Sequence, residues 1–359
     1  MNLLSDVSWD EFKGLPLLER GPYFCPGGRE EHVILAQQFD RERLDSLGVL
    51  ATRIRRIAKT HEGMDFLQGV LSHKRAMLYF SQPSTRTFLS FCAACEILGM
   101  KLGEVRDTST SSEFKGESQE DSVRTFSSYF DLIIMRSKVG GLAEHMAWLL
   151  SNSERPVPII NAGSGKDQHP TQAVLDIYTL QRSFENTGGI DGKRIVFVGD
   201  LLRGRTVRSL SFLLTQYRDV EQCFVAPPSL QIADDIQAML RDAGVKFSLT
   251  DDLAGELAGA DAIYMTRLQD EWDEKGAEGS KIDISKFGIG VDELKFMKPT
   301  AVIMHPLPRR MEVAPEVDHD SRAVYWRQMR NGMWVRVAMI ATIFEEHETI
   351  DRYFEDKVG

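Results

Sequence analysis

The chain has 359 residues, of which 42% are hydrophobic and 27% are charged, and its formal net charge is −10 at pH 7. This length predicts about two domains of ordinary globular composition. The negative balance argues against a nucleic-acid-binding protein, which usually presents a basic face, although one cleft can still collect several cations within an acidic envelope.

Neither secretion nor a membrane partner is indicated. The first residues, MNLLSDVSWDEF, carry acids where a signal peptide needs a basic start, and no stretch approaches the ~20 apolar residues of a membrane span. Cys92 and Cys95 form a CxxC motif, but it lies in a helical pattern and has no second CxxC or HxxxH partner. We interpret the pair as core-facing residues rather than redox or zinc ligands, and expect a reduced, cytoplasmic location.

Hydrophobic periodicity predicts a regular alternation of elements. In chain order, a helix over 40–59 precedes a strand over 75–80, a helix over 85–99, a strand over 131–136, a helix over 142–152, a strand over 156–162 and a helix over 172–184. A strand over 194–200, a helix over 205–217, a strand over 222–227, a helix over 230–244, strands over 261–267 and 301–307, and a helix over 324–346 follow. This alternation is typical of α/β proteins, whose ligands bind at the carboxyl ends of parallel strands.

Two stretches interrupt the alternation. Residues 185–193, ENTGGIDGK, concentrate turn residues and predict a domain break. Residues 270–296 are polar and glycine-rich, and we expect them to form a long surface excursion.

Residues 82–88, QPSTRTF, link a predicted strand to a predicted helix, and such a link can form an anion site. The first N–H groups of the helix and the positive end of its dipole face the anion. Ser84, Thr85 and Thr87 add hydroxyl donors, and Arg86 adds a planar fork that matches phosphate oxygens. A helix cap with a solvated Arg86 is the alternative interpretation.

Residues 161–172, NAGSGKDQHPTQ, repeat this arrangement, with His169 and Gln172 near the first turn and Pro170 suited to the first helical position. A neutral His169 could donate a hydrogen bond to a substrate carbonyl, since the helix N-terminus disfavours its charged form. Residues 304–310, MHPLPRR, leave another strand. The prolines around Leu307 stiffen the backbone, allow a cis bond and could present a carbonyl to a substrate NH₂. A structural histidine and a simple turn are the respective alternatives.

Further cations lie at strand ends or in a loop. Arg136 and Arg205 each follow a predicted strand, Arg267 does so with Gln269 two residues on, and Lys115 lies in SSEFKGES. Each alone is more typical of a surface charge, but together they predict a site for a substrate with several negative charges. GxGxxG, GxxxxGK[ST], HExxH and GxSxG motifs are missing from the sequence, so we expect chemistry without metal or cofactor.

Seven segments in this order resemble motifs of the aspartate/ornithine carbamoyltransferase family, over about residues 34–346. They are PSTRT at 83–87, KGE at 115–117, MR at 135–136, HPTQ at 169–172, GRTVRSL at 204–210, MTRLQ at 265–269 and HPLPR at 305–309. HPTQ and HPLP favour the aspartate branch, because the ornithine branch typically shows HPCQ and HCLP. A dicarboxylate acceptor also needs cations, and GRTVRSL and MTRLQ offer two arginines.

The resemblance implies a transferase that moves a carbamoyl group from carbamoyl phosphate to the amine of L-aspartate. The products are N-carbamoyl-L-aspartate and phosphate, in the second step of de novo pyrimidine biosynthesis. It implies two doubly wound parallel-sheet domains of similar size: residues 1–184 bind carbamoyl phosphate, with the C-terminal helix 322–359 packing back on them, and residues 185–321 bind aspartate. The family is a trimer with sites between subunits. A regulatory chain or a dihydroorotase as a further partner is left open.

Roles follow from the resemblance residue by residue. The residues implied to bind carbamoyl phosphate are Ser84, Thr85, Arg86, Thr87, Ser111, Lys115, Arg136, His169, Gln172, Leu307 and Pro308. Arg86, Thr87, Lys115, Arg136 and His169 are implied to be catalytic, and Lys115, Arg205, Arg267 and Gln269 to bind aspartate. Within these sets, Gln172 and the carbonyls of Leu307 and Pro308 would hold the carbamoyl NH₂. Ser111 and Lys115 would come from the neighbouring subunit.

The sequence departs from the family pattern in three places. Phe88 and Cys92 stand where many relatives have an Arg and a Glu, so packing replaces a charge pair. Arg203 stands where an aromatic residue is common, and residues 270–296 lie in the region that closes over aspartate in the family. Two alternatives stay open: a carbamoyltransferase for another amino-acid acceptor, and a non-catalytic homologue that serves as a scaffold.

Overall fold

A computed structural model of the protein describes residues 3–106, 116–165, 168–268 and 285–359. The chain divides into two compact units. Unit 1 comprises Met1–Val174 and Gly332–Gly359, and unit 2 comprises Leu175–Asn331. Each unit contains one parallel sheet.

Helices and strands alternate along the described residues. The first half has α1 (Trp9–Gly14), α2 (Leu17–Arg20), α3 (Arg41–Ile57), α4 (His61–Val70), β1 (Arg75–Phe80), α5 (Thr85–Ile97), β2 (Lys101–Val105), α6 (Gln119–Tyr129), β3 (Leu132–Ser137), α7 (Leu142–Ser151), β4 (Ile159–Ser164) and α8 (Pro170–Phe184). The second half has β5 (Arg194–Val198), α9 (Arg205–Leu214), β6 (Glu221–Val225), α10 (Asp234–Asp242), β7 (Phe247–Thr250), α11 (Leu253–Leu257), β8 (Ala262–Met265), β9 (Val302–Met304), α12 (Tyr325–Ile343) and α13 (His347–Lys357).

Several helices begin where a short polar side chain can cap them. Asp40 accepts a hydrogen bond from the Arg43 N–H at the start of α3, over 2.9 Å. Thr60 accepts one from the Gly63 N–H at the start of α4, over 3.0 Å. Each bond satisfies one of the first N–H groups, which have no partner within the helix.

The sheet of unit 1 has the strand order β2-β1-β3-β4. β2 lies on one side of β1, and the later strands β3 and β4 lie on the other, so the strand order reverses between β1 and β3. Every residue of β3 and β4 is buried, as expected for parallel strands covered on both faces. The carboxyl ends of β1 and β3 lie side by side, with Phe80 paired to Arg136. Such a reversal is the point where open α/β sheets bind ligands.

The sheet of unit 2 has the order β7-β6-β5-β8-β9, with its reversal between β5 and β8. Val198 pairs with Met265 at the carboxyl ends of these two strands. Both residues belong to the buried core of the unit. The two units therefore repeat one design, and the predicted α/β architecture with two parallel sheets is confirmed.

Some elements were not predicted from the sequence, and the interpretation of residues 270–296 as a surface excursion was wrong. The strands β2 and β7 and the helices α1, α2, α4, α6 and α11 were not predicted; β2, for example, lies at a sheet edge and has no fully buried residue, so it lacks an apolar run. Residues 270–296 are not simply a surface excursion, because Phe287, Ile289 and Leu294 are buried in the core of unit 2. Residues 269–284 lie outside the described residues.

The division between the units also differs from the predicted boundaries at 184/185 and 321/322. It falls inside α8 and inside α12 rather than at the predicted turn. The reason is visible in the buried carboxylate of Asp176, which accepts hydrogen bonds from Tyr264 Oη at 2.8 Å and from Gln328 Nε2 at 2.6 Å. These bonds assign the body of α8 to unit 2.

The C-terminal part of the chain packs back on unit 1, as predicted, but it forms two helices, and only Gly332–Gly359 belongs to that unit rather than the predicted 322–359. Arg53 of α3 forms an ion pair with Asp351 of α13, with 2.8 Å between Nη1 and Oδ1. The ring of Tyr353 stacks on Phe66 of α4 with centroids 3.8 Å apart. The guanidinium of Arg56 lies 4.7 Å from the Phe354 ring centroid, so charged and aromatic contacts both hold α13 in place.

The segment before α3 adds to the edge of the first sheet through a bridge between Val33 and Ile160. The buried amide of Gln38 organises this segment: its oxygen accepts from the N–H groups of Ile34 and Leu35 at 2.8 and 3.1 Å. Its nitrogen donates to the carbonyl of His32 at 2.7 Å and to the carboxyl of Glu30. Burial raises the pKa of Glu30 to about 7, against the opposing charge of Arg43.

Glu30 therefore makes stability depend on pH. The pKa of the Glu30 carboxyl is near the ordinary value of 4.5 in the unfolded chain and about 7 in the folded chain. Its contribution to the free energy of unfolding is therefore complete below about pH 4.5 and is lost as the pH rises through about 7. Glu30→Gln should remove this loss. The free energy of unfolding of the variant, relative to wild type, should increase by roughly 3 kcal/mol between about pH 5 and about pH 8.

Urea unfolding at the two pH values measures the change. Glu42→Gln, at an exposed position on α3, is the matched control and should show no such increase. A Glu30→Gln variant whose stability difference from wild type is the same at both pH values would contradict the assignment.

Candidate active site

The loop between β1 and α5 contains the predicted anion-binding residues. Ser84 occupies the residue before α5, and its side chain accepts no capping hydrogen bond from the described residues. The alternative interpretation, in which the Ser84 side chain caps the helix, is therefore wrong. Thr85 and Arg86 in the first turn are exposed, whereas Thr87 is buried. Exposed donors at a helix N-terminus suit an anion from solvent.

Arg136 lies beside this loop at the carboxyl end of β3. Its side chain is buried, and Nη1 donates to the carbonyl of Ala162 over 2.9 Å. The loop is tied to the backbone of Arg136, because Ser81 Oγ and the Gln82 N–H donate to its carbonyl at 3.2 and 3.4 Å. The structure thus brings PSTRT and MR together at the reversal of the first sheet.

His169 lies directly before α8, which begins at Pro170 as predicted. Its carbonyl accepts from the N–H groups of Gln172 and Ala173 at 3.0 and 3.2 Å, and the residue is buried. Gln168, next to it, accepts from the N–H of Ala36 at 3.4 Å and donates to Gln37 at 3.1 Å. The residue before His169 is therefore held by polar contacts that the sequence did not predict.

At the two positions where packing was predicted in place of a charge pair, Phe88 and Cys92 both lie on α5. Phe88 is buried, meets the ring of Phe80 edge-on at 5.3 Å and lies 4.2 Å below the guanidinium of Arg106. Burial raises the pKa of the Cys92 thiol to about 11, and Cys95 is fully buried. Both thiols are free, and the environment of Cys92 disfavours a reactive thiolate.

In unit 2 the ends of β5 and β8 approach each other closely. Gly199 has φ 112°, and Thr266 donates its N–H and its hydroxyl to the carbonyl of Val198 at 2.8 and 2.9 Å. Arg205 is the first residue of α9 and Arg267 follows β8, so both half-buried arginines lie at the reversal of the second sheet. Nη1 of Arg267 donates to the carbonyl of Leu268 over 2.9 Å.

Arg203 binds a buried carboxylate in the same turn. Its Nε donates to Asp200 Oδ2 over 2.7 Å, and its N–H donates to Oδ1 over 3.2 Å. Asp200 is buried at the carboxyl end of β5. The motif GDLLRGR contained this signal, an acid three residues before an arginine in a tight turn, but sequence analysis did not use it.

The HPLPRR segment forms a tight turn after β9. The Leu307–Pro308 peptide bond is cis, and Leu307 has φ 56°, a conformation that costs a residue with a Cβ about 1–2 kcal/mol. Arg309 is held by Asp318, with Nη2 2.7 Å from Oδ2, and this bond lowers the pKa of Asp318 to about 2. Arg309 is therefore a structural cation of the turn.

Three predicted site residues, Ser111, Lys115 and Gln269, lie outside the described residues. Among the residues that the structure does describe, no group of three or more His, Cys, Asp or Glu side chains is placed to bind a metal ion. In the same residues, no helix is both long and apolar enough to cross a membrane.

Comparison with known proteins agrees with this geometry in both halves of the chain. Residues 31–182 match the family model described as the carbamoyl-P binding domain of aspartate/ornithine carbamoyltransferase, and residues 191–343 match its Asp/Orn binding domain. The chain belongs to the aspartate/ornithine carbamoyltransferase family.

Individual relatives lie in the aspartate branch. Aspartate carbamoyltransferase 1, chloroplastic, of Pisum sativum is 39% identical over 337 residues, 91% of this chain and 82% of the relative. The crystal structure of aspartate transcarbamoylase from Trypanosoma cruzi with carbamoyl aspartate and phosphate is 34% identical, with TM-score 0.78 over 87% of this chain and 95% of that one. The catalytic subunit of M. jannaschii aspartate transcarbamoylase is 34% identical, with TM-score 0.77 over 89% and 99%.

The close approach of β5 and β8 should be intolerant of a side chain. A Cβ on Gly199 would lie 2.2 Å from the Thr266 carbonyl oxygen, so Gly199→Ala should lower the free energy of unfolding by roughly 3 kcal/mol or more. Gly244→Ala is the matched control, because Gly244 has φ 68° but nothing within 4 Å of an added Cβ. It should lose only about 1 kcal/mol. Equal losses in urea unfolding would argue against the steric contact.

Proposed function

We propose that this protein is an aspartate carbamoyltransferase, which transfers the carbamoyl group of carbamoyl phosphate to the amine of L-aspartate. The products are N-carbamoyl-L-aspartate and phosphate, the pyrimidine-pathway reaction. The observation that carries the proposal is that both sheets place family motif residues at their reversals. One reversal presents a helix N-terminus with Arg86 and Arg136, and the other presents Arg205 and Arg267. Two anionic substrates need two such cationic strand ends.

In unit 1, the phosphate of the first substrate is bound by the N-terminus of α5 and by Ser84, Thr85, Arg86, Thr87 and Arg136. The positive charges stabilise phosphate as it leaves, and His169 with Arg86, Thr87 and Arg136 stabilises the carbonyl oxygen as it becomes an oxyanion. One fixed donor to such an oxyanion contributes about 3–4 kcal/mol to catalysis. The family resemblance implies that Gln172, in the first turn of α8, and the carbonyls of Leu307 and Pro308 are hydrogen-bond partners of the carbamoyl NH₂.

In unit 2, Arg205 and Arg267 bind the two carboxylates of aspartate, with Gln269 as a further donor. The neutral amine of aspartate attacks the carbonyl carbon, the bond from that carbon to the phosphate oxygen breaks, and the amine loses one proton. A cationic acceptor such as ornithine would meet two arginines here instead of carboxylates, which disfavours it. Arg86, His169 and Arg267 are all present, which also disfavours an inactive scaffold.

The assembly and the location are further proposals. By resemblance the protein is a homotrimer in which Ser111 and Lys115 complete the site of the neighbouring subunit. A cytoplasmic location is supported by the four free cysteines, Cys25, Cys92, Cys95 and Cys223. A regulatory chain or a dihydroorotase is left open as a further partner.

An acceptor panel tests the reaction itself. The protein is incubated with carbamoyl phosphate and, in turn, L-aspartate, L-ornithine and other amino acids, with and without a chelator. Carbamoyl aspartate and phosphate in equal amounts, with chelator-independent rates, are the expected outcome. Preferred carbamoylation of another acceptor would overturn the proposal.

Mutations should separate the binding of the two substrates, because each is assigned to a different sheet reversal. Arg267→Ala should raise KM for aspartate, because roughly 2–5 kcal/mol of binding free energy is lost with the carboxylate contact. It should leave the Kd for carbamoyl phosphate nearly unchanged. Arg86→Ala should instead weaken carbamoyl phosphate binding and lower kcat. Arg208→Ala is the control, since Arg208 lies on α9 near Arg205 but pairs with Asp235, with 3.3 Å between Nη2 and Oδ1. Equal weakening of carbamoyl phosphate by Arg267→Ala and Arg86→Ala would show that the assignments are wrong.

A further inference from the structure

A buried His–Glu pair lies behind the turn that carries Leu307 and Pro308, and nothing in the proposed chemistry uses it. His305 Nε2 lies 2.7 Å from Glu312 Oε1, and both side chains are almost completely buried. The other ring nitrogen, Nδ1, lies 2.7 Å from the backbone nitrogen of Leu307. The imidazole therefore connects a carboxylate on one side to the turn on the other.

The hydrogen bonds determine the tautomer of His305. The Leu307 N–H can only donate, so Nδ1 must accept and carries no proton. The ring proton is then on Nε2, where it is donated to Glu312. Burial opposes ionisation of Glu312, but the bonds from His305 and from the Arg310 N–H outweigh it and lower the pKa of this carboxyl. The pair is thus a neutral histidine held by a carboxylate.

The pair is itself anchored within unit 2. The backbone N–H of His305 donates to Gln328 Oε1 over 2.9 Å, and Gln328 Nε2 donates to the buried carboxylate of Asp176 over 2.6 Å. Asp176 also accepts from Tyr264 of β8. A continuous set of hydrogen bonds therefore runs from α8 and β8 to the turn, and its last member is the half-buried bond from Leu307 to Nδ1.

We propose that His305 is a positioning residue that selects for the amino group of the carbamoyl substrate. Its Nδ1 holds the N–H of Leu307, which keeps Leu307 in the left-handed conformation and fixes the carbonyls of Leu307 and Pro308. Glu312 acts one step further back by keeping the proton on Nε2. The inference rests on the proposed function, in which these two carbonyls accept hydrogen bonds from the carbamoyl NH₂.

Two substitutions of His305 separate its two hydrogen bonds. In His305→Asn, the side-chain oxygen can take the place of Nδ1 and accept from Leu307, while the bond to Glu312 is lost. In His305→Gln, the longer amide can take the place of Nε2 and donate to Glu312, while the bond to Leu307 is lost. Glutamine is closer to histidine in size, so a role in packing alone predicts that His305→Gln is the milder change.

The readout compares carbamoyl phosphate with acetyl phosphate, which has a methyl group in place of NH₂. Calorimetric Kd values should show that wild type prefers carbamoyl phosphate. His305→Gln should reduce this preference about tenfold, the size of one or two lost hydrogen bonds, and His305→Asn should largely keep it. The Kd for inorganic phosphate should be unchanged in both variants, because the residues proposed to bind phosphate lie in unit 1.

A second pair of variants tests Glu312 and serves if a His305 variant does not fold. Glu312→Gln can still accept from Nε2, so it should keep the preference for carbamoyl phosphate. Glu312→Leu lets the proton move to Nδ1, so it should lose the preference as His305→Gln does. Retained preference in His305→Gln or in Glu312→Leu, or loss in the conservative partner of either, overturns the inference. A wild type that carbamoylates aspartate but binds both phosphates equally also overturns it, whereas failure to carbamoylate aspartate overturns the proposed function.

Discussion

All strands of a parallel sheet end at one edge, and at the reversal of strand order neighbouring connections leave toward opposite faces. Both sheets of this protein have such a reversal, between β1 and β3 and between β5 and β8. Helices that follow these strands also begin at this edge, so their free N–H groups and dipoles point the same way. The electrostatic preference of this sheet edge for anions is thus a consequence of topology, and the arginines strengthen it.

The two units fix their strand-end loops by different chemistry. Neutral amides support the loop before His169: Asn161 Nδ2 donates to the Ile34 carbonyl and to Ser164 Oγ at 3.0 and 3.1 Å, and Gln168 contacts Ala36. In unit 2 the supports use carboxylates: Arg203 forms an ion pair with Asp200, and the neutral ring of His305 donates to Glu312. Amides keep their bonds at any ordinary pH, whereas bonds to a carboxylate depend on its ionisation.

Much of the fold and of the site could be predicted from the sequence, because a strand end is encoded locally. An apolar run followed by Gly, Pro, Ser or a cation places residues such as Arg136 and Arg267 at the sheet edge without knowledge of the rest. The α/β class and the strand-to-helix context of Ser84 and His169 follow from the same pattern. These features need no long-range information.

The parts that could not be predicted depend on distant or irregular contacts. β2 pairs with β1 although its own residues show no apolar period. Glu312 is recognisable as the partner of His305 only after the turn between them is known, since the six residues of irregular backbone that separate them have no fixed period. Phe287 and Ile289 lie among polar residues, and they are buried in a core whose other members, such as Val198 and Met265, are distant in sequence. A local pattern does not contain these distant contacts.

The course of α8 and α12 across the division has a consequence for how such proteins can diversify. Exchange of genetic segments between relatives works best when the breakpoint falls in a loop, so that each inherited piece keeps its own contacts. A breakpoint at the turn after α8 would separate Asp176 from Tyr264 and Gln328 and leave a buried carboxylate among foreign neighbours. The two halves are therefore unsuited to exchange as cassettes that join at this turn.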